Sequence, residues 1–138
     1  MGMKHLLGIL FVALFLGSCG SGSNPKPTAA YEEKKTSLAD MERDSPARFL
    51  KISGSNRNNL VNQTVIEGEI VNKATLITYK SIQIQVTFID KEGSTIEKQK
   101  HTIDDEIKPG SSDDFKIKTS HVKGANDVTF QILDAKAE

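Results

Sequence analysis

Hydrophobic positions along this chain fall into two regimes. Leu6–Leu16 is an unbroken apolar run, LLGILFVALFL. From Arg48 onward the apolar residues recur with a period of two. Leu50 and Ile52 alternate with Phe49, Lys51 and Ser53. Ile66, Gly68 and Ile70 alternate with Glu67 and Glu69; Ile82, Ile84, Val86 and Phe88 alternate with Gln83, Gln85 and Thr87. Phe115 and Ile117 flank Lys116, while Val128, Phe130 and Ile132 alternate with Thr129 and Gln131. One apolar and one polar face per segment is the signature of antiparallel strands that separate a core from water.

The breaks between these segments carry turn chemistry. Asp90-Lys91-Glu92-Gly93 offers a side-chain acceptor and a glycine tolerant of positive φ, as a tight hairpin requires. Pro109-Gly110 and Lys123-Gly124-Ala125-Asn126 mark two further turns. Ser94–Ile103 alternates poorly, since Ile96 and Ile103 cannot share a face without a bulge, and its Lys98, Lys100 and His101 suit an exposed edge. The pattern predicts an all-β fold, a small immunoglobulin-like antiparallel β-sandwich of six to seven strands over residues 48–138. No Cys…Trp…Cys arrangement accompanies it, so it is not a standard antibody-type domain.

The apolar run at the N-terminus is too short to cross a bilayer. Its eleven residues make about 16 Å of helix, against roughly 30 Å of hydrocarbon. A Lys and a His precede it and small residues follow it, which describes a signal peptide. Leu16-Gly17-Ser18-Cys19 resembles the lipobox of bacterial lipoproteins. That resemblance implies cleavage after residue 18 and diacylglyceryl attachment to Cys19, the chain's single cysteine. Several acyl chains anchor durably where one does not. The expectation is an exported protein held on a membrane by the lipid on Cys19. Gly20 lacks the Asp that resembles an inner-membrane retention signal, so a Gram-negative source implies the outer membrane, facing the periplasm.

Residues 19–47 read as the lipidated cysteine and a flexible tether. GSGSNPKP is linker composition. In Ala29–Arg43 only Tyr31, Leu38 and Met41 could align on one side of a helix, which predicts a transient helix at most. The alternative is that Tyr31–Arg43 docks on a partner.

Composition removes several functions. The 138 residues carry 18 basic and 18 acidic groups, and cleavage after residue 18 removes Lys4 and leaves 17 basic groups. A nucleic-acid binder needs a basic excess that this chain lacks. With no Trp, two Tyr and six Phe, it has little to stack on bases or sugars. One Cys excludes an intramolecular disulfide and every multi-cysteine metal site.

Val65–Asp134 resembles the FxLYD-type immunoglobulin-like domains of exported bacterial proteins. The resemblance rests on Glu67-Gly68-Glu69-Ile70-Val71-Asn72, on Val86-Thr87-Phe88-Ile89-Asp90 followed by Gly93, and on Pro109-Gly110 before the strand of Phe115. Of the naming motif only Asp90 is retained; Val86, Phe88 and Ile89 stand at its Phe, Leu and Tyr. The family implies a non-catalytic module and supplies no functional residues.

Signatures of catalysis are missing from the sequence. There is no Gly-rich phosphate loop and no G-x-S-x-G elbow, and His101 and His121 sit alone. We therefore expect no enzyme, no cofactor and no metal centre. Asp104-Asp105-Glu106 and Asp113-Asp114 flank the Pro109-Gly110 turn and would hold calcium only if they converged. Asn56-Arg57-Asn58-Asn59 with Asn62-Gln63 reads as a polar loop able to hydrogen-bond a glycan or peptide. Gln83, Gln85 and Thr87 are candidates if their sheet face is uncovered. The function expected is a lipid-anchored envelope lipoprotein whose sandwich binds or scaffolds another envelope protein. The alternative is a carrier of a small ligand or metal.

Overall fold

The computed structural model describes residues 29–138, with side chains from Glu33 onward. The signal peptide and Cys19 lie outside the described residues. Two helices, α1 (Ala29–Asp44) and α2 (Pro46–Phe49), lead into six strands. These are β1 (Leu50–Asn58), β2 (Gln63–Asn72), β3 (Tyr79–Ile89), β4 (Thr95–Ile103), β5 (Ser112–Ser120) and β6 (Asp127–Ala137). Every strand pairing is antiparallel, and the strands form two sheets in the orders β1-β2-β5 and β4-β3-β6. The protein is an all-β sandwich, as the period-two pattern predicts.

Alternation places the core between the sheets. Ile66 and Ile70 face inward from β2, and Ile82, Ile84, Val86 and Phe88 from β3, all without exposure. Phe115, Val128 and Ile132 close the same cluster. Gly54 and Gly68 are register partners across β1 and β2, and Gly68 lies opposite Phe115 on β5. A Cβ on Gly54 would sit 2.5 Å from the Glu67 carbonyl oxygen and 3.1 Å from the Phe130 ring. A Cβ on Gly68 would collide with the Ser53 carbonyl and come within 2.7 Å of the Phe115 ring. The two rings meet edge to face, centroids 5.9 Å apart. The glycines thus make the room in which the aromatic pair joins one sheet to the other.

Two irregularities adjust the registers. Phe88 pairs with Glu97 but Ile89 pairs with Thr95, so Ile96 is an extra residue in β4. The bulge leaves Ile96 exposed while Ile103 is buried, so the two do not share a face. In β3 the left-handed Ser81 (φ 47°) lets both Tyr79 and Ile82 face the core although they are three apart.

The described part of the expected flexible tether, residues 29–47, is helical rather than loose coil. Residues 29–44 are helical, in a run rich in Ala, Glu and Lys that favours helix. Pro46 disfavours helix at the residue before it, and Ser45 breaks the run at φ −136° before α2 starts. The C-terminal turn of α1 is fastened to the sandwich by Glu42, which is only 1 % exposed. Its Oε1 accepts the Thr75 N–H at 2.7 Å; its Oε2 accepts those of Leu76 and Ile77 at 2.9 and 3.1 Å. The Tyr79 hydroxyl donates to the Glu42 carbonyl at 2.6 Å. Hydrophobic periodicity cannot detect this attachment, because its principal anchor is a carboxylate.

Replacing Glu42 by Ala leaves three loop N–H groups without their acceptor. Loss of buried charge-assisted bonds predicts a destabilisation of about 2–4 kcal/mol, measured by urea unfolding; a change under about 0.5 kcal/mol, the surface range, contradicts the anchor. Tyr79 gives a second check. Burial, and then the nearby Glu42 charge, push its phenol up to about 12. The folded state favours the neutral ring, so its contribution to stability is intact below pH 10 and is lost as pH rises towards 12. In a Tyr31→Phe variant, tyrosinate absorbance reports Tyr79 alone. A midpoint near 12 is expected, and a midpoint near 10 would mean an accessible ring.

Candidate interaction surface

The exposed feature that core packing does not explain is the tip of the β1–β2 hairpin. Leu60 is fully exposed (105 %) and Val61 is 72 % exposed. Aliphatic side chains on a mobile loop would be unremarkable, but here the turn is built to hold them. The Asn59 Oδ1 accepts the N–H groups of Val61 at 3.1 Å and Gln63 at 2.9 Å. The Asn59 Nδ2 donates to the Gln63 Oε1 at 3.1 Å, and the backbone closes by Asn59 N–H to Gln63 O at 2.9 Å and Asn62 N–H to Asn59 O at 3.3 Å. Asn62 takes the left-handed conformation (φ 57°) that asparagine tolerates better than most residues. The Leu60–Val61 pair is therefore presented on a cross-braced turn, ringed by amide side chains.

Neighbouring groups brace the hairpin further. The Asn58 Oδ1 accepts from the Thr64 hydroxyl at 3.1 Å and lies 3.2 Å from the His121 Nδ1 on the β5–β6 connection. On the outer face, Glu67 receives the Arg57 guanidinium at 3.1 Å and the Lys116 ammonium at 2.6 Å, linking all three strands of the sheet. Those hydrogen bonds, Lys116 first and Arg57 second, pull the Glu67 carboxyl down to about 2.

The other end of the sandwich carries a hollow of about 560 Å3, lined by Lys34, Leu38 and Met41 of α1 and by Thr75 and Leu76. A second hollow, about 580 Å3, lies on the β1-β2-β5 sheet between Ser53, Glu67, Glu69, Asp114 and Lys116. Both are open to solvent.

The residues singled out by sequence are dispersed. Asn56, Arg57 and Asn58 belong to β1 and Gln63 to β2, so the loop proper is residues 59–62, and its apolar pair was missed. Gln83 is exposed, with Gln85 and Thr87 half-buried, on the outer face of β3. His101 lies on edge strand β4, its Nε2 3.2 Å from the Gln99 Oε1, and burial lowers its pKa. The acidic residues flanking Pro109-Gly110 do not converge: among the described residues no three potential ligands are grouped to hold a metal ion. Nor is any described helix long and apolar enough to cross a membrane.

The Glu67 network makes a pH prediction. A depressed carboxyl contributes stability that is present above its unfolded value of 4.5 and is lost as pH falls towards 2. Carboxyl-carbon NMR should place the Glu67 midpoint near 2, and Lys116→Met should move it upward. A wild-type midpoint above 4 would show that the three-strand network does not hold in solution.

No family model matches this chain, and no curated protein does. Among solved structures, the chain is similar to a DUF1425 family member from Shewanella sp. pv-4. The two share 13% sequence identity at a TM-score of 0.46, over 64% of this chain and 81% of that one.

Proposed function

We propose that this protein is a lipid-anchored lipoprotein of the bacterial envelope whose β-sandwich is a non-catalytic protein-interaction module. The observation that carries the interaction half is the braced, solvent-exposed Leu60–Val61 tip. Burying an aliphatic pair of this size is worth about 3–5 kcal/mol before the cost of association, and a preformed turn keeps that cost low. The tip lies at the far end of β1 from the helices. β1 starts beside the helices and ends at the hairpin, and nine extended residues cover about 30 Å.

The lipobox resemblance at Leu16–Cys19 supports the anchor, and the FxLYD-type resemblance supports an exported immunoglobulin-like module. A carrier of a small ligand or metal, the other class considered, calls for an enclosed site between the sheets. The space there is occupied by Ile66, Ile84, Val86 and Phe88, which favours interaction over carriage.

Two measurements test the reading. Metabolic labelling with a fatty-acid analogue should mark the wild-type chain and not a Cys19→Ala variant; labelling that survives the substitution removes the anchor. Crosslinking in intact cells, followed by mass spectrometry, should recover a stoichiometric protein companion. A Leu60→Asp/Val61→Asp variant should lose that companion while keeping its melting temperature, and retention of the companion would assign the interaction to another face.

A further inference from the structure

We propose that this protein pairs with a second copy of itself along the free edge of β5, so that two β1-β2-β5 sheets become one continuous sheet. The surface is separate from the Leu60–Val61 tip, and neither reading depends on the other. The direction of the β5 backbone comes first. Asn72 turns its backbone towards the β5 side, donating to the Ser111 carbonyl at 2.8 Å and accepting the Gly110 N–H at 2.9 Å. Antiparallel ladders alternate, so Ile70, Gly68, Ile66 and Thr64 bond their register partners Asp113, Phe115, Ile117 and Thr119. Ser112, Asp114, Lys116, Lys118 and Ser120 therefore turn their N–H and C=O groups to the open edge. The Asp114 N–H is held there by the adjacent Asp113 Oδ1 at 2.9 Å.

The other edge strands are less suited to pairing. β1 and β6 lie against each other. β4 is bulged at Ile96 and carries Lys98 and Lys100, which discourage a partner. β5 runs nine residues in unbroken register, without Pro or Gly.

Its side chains select the partner. The acids Asp113 and Asp114 precede the bases Lys116 and Lys118, so the strand complements itself when antiparallel. A two-fold axis at Lys116 sets Ser112 opposite the partner's Ser120 and Asp114 opposite the partner's Lys118, with about ten main-chain hydrogen bonds. Among the described residues the Asp114 carboxylate and the Lys118 ammonium form no ion pair, and symmetry joins them twice. Lys116 meets itself on the axis, but Glu67 already holds its ammonium, so the charge is balanced within each copy. On the inner face Phe115 comes opposite the partner's Ile117, a residue one copy leaves half-buried. Asp113 comes opposite the partner's Thr119, whose hydroxyl replaces the Asp114 N–H as its donor. The ladder is short, so the pair is weak in dilute solution and strengthens where copies share one surface and a high effective concentration.

The test uses the full chain in intact cells, with Lys116→Cys placing a thiol on the axis. Mild oxidation should give a reducible species of twice the chain mass, well above the level given by the wild type. Adding Lys118→Asp sets like charges opposite each other on both sides of the axis and should cut that species at least about tenfold. Adding Asp114→Lys as well exchanges the two charges and should restore it. Since the restored variant keeps the Lys118→Asp change, restoration separates loss of pairing from loss of fold. Overturning results are no species above the wild-type level, a species insensitive to Lys118→Asp, failure of the exchanged charges to restore it, or a disulfide to a different protein. None of these outcomes bears on the companion of the tip, which Leu60→Asp/Val61→Asp reads separately.

Discussion

Backbone polar groups drawn into the interior must find partners, and at one end of this sandwich that requirement organises everything around it. The connection from β2 to β3 is drawn partly inward, with Ala74 and Ile77 buried, and the β4–β5 connection buries Ile107 beside it. Unpaired N–H and C=O groups there would cost more than the apolar burial returns. Asn72 answers for one set: its Nδ2 donates to the carbonyls of Ile77 and Ile107, both at 2.9 Å, and its Oδ1 accepts the Ala74 N–H at 2.8 Å. Three N–H groups remain, those of Thr75, Leu76 and Ile77, and Glu42 takes all three. The helix is thus part of the fold, because the sandwich has a polar vacancy that only its carboxylate fills.

At the level of strands the fold was legible, and the reasons it was are physical. Period-two alternation marked all five clean strands because each has one buried face, and Gly93, Gly110 and Gly124 sit at positive φ where turns were expected. Asp90 binds the N–H groups of Glu92 and Ser94 at 3.0 and 2.8 Å, which is the turn its sequence context implied. The poor alternation of Ser94–Ile103 marked β4 as irregular, but not the place of its bulge at Ile96. Ser81 could not be inferred at all, since nothing in the local sequence says that a serine will adopt a left-handed conformation.

The candidate site was far less legible. Leu60 and Val61 look like strand or core residues to any rule based on hydrophobicity, and only the structure shows that they crown a turn. The asparagines around them were noticed, but as possible ligand contacts rather than as the braces of that turn. The Asn59 Oδ1 accepts two neighbouring N–H groups and its Nδ2 donates to Gln63, so its amide is spent on the turn. Glu42 escaped for the opposite reason: a single acid within a charged helix reads as solvated, and its burial depends on a loop more than thirty residues away.

Packing is tightest in the middle of the sandwich. The aromatic pair over Gly54 and Gly68 and the fully buried row of β3 leave the sheets little freedom to open. The outer face of β1-β2-β5 is tied across all three strands by Arg57, Glu67 and Lys116, and edge strand β4 carries Lys98, Lys100 and a bulge, features that discourage strand pairing. Outside these constraints lie, among other surfaces, the hairpin tip and the hollow beside the helix. They lie at opposite ends because β1 runs from one to the other, so either can be substituted without touching the aromatic pair that joins the sheets.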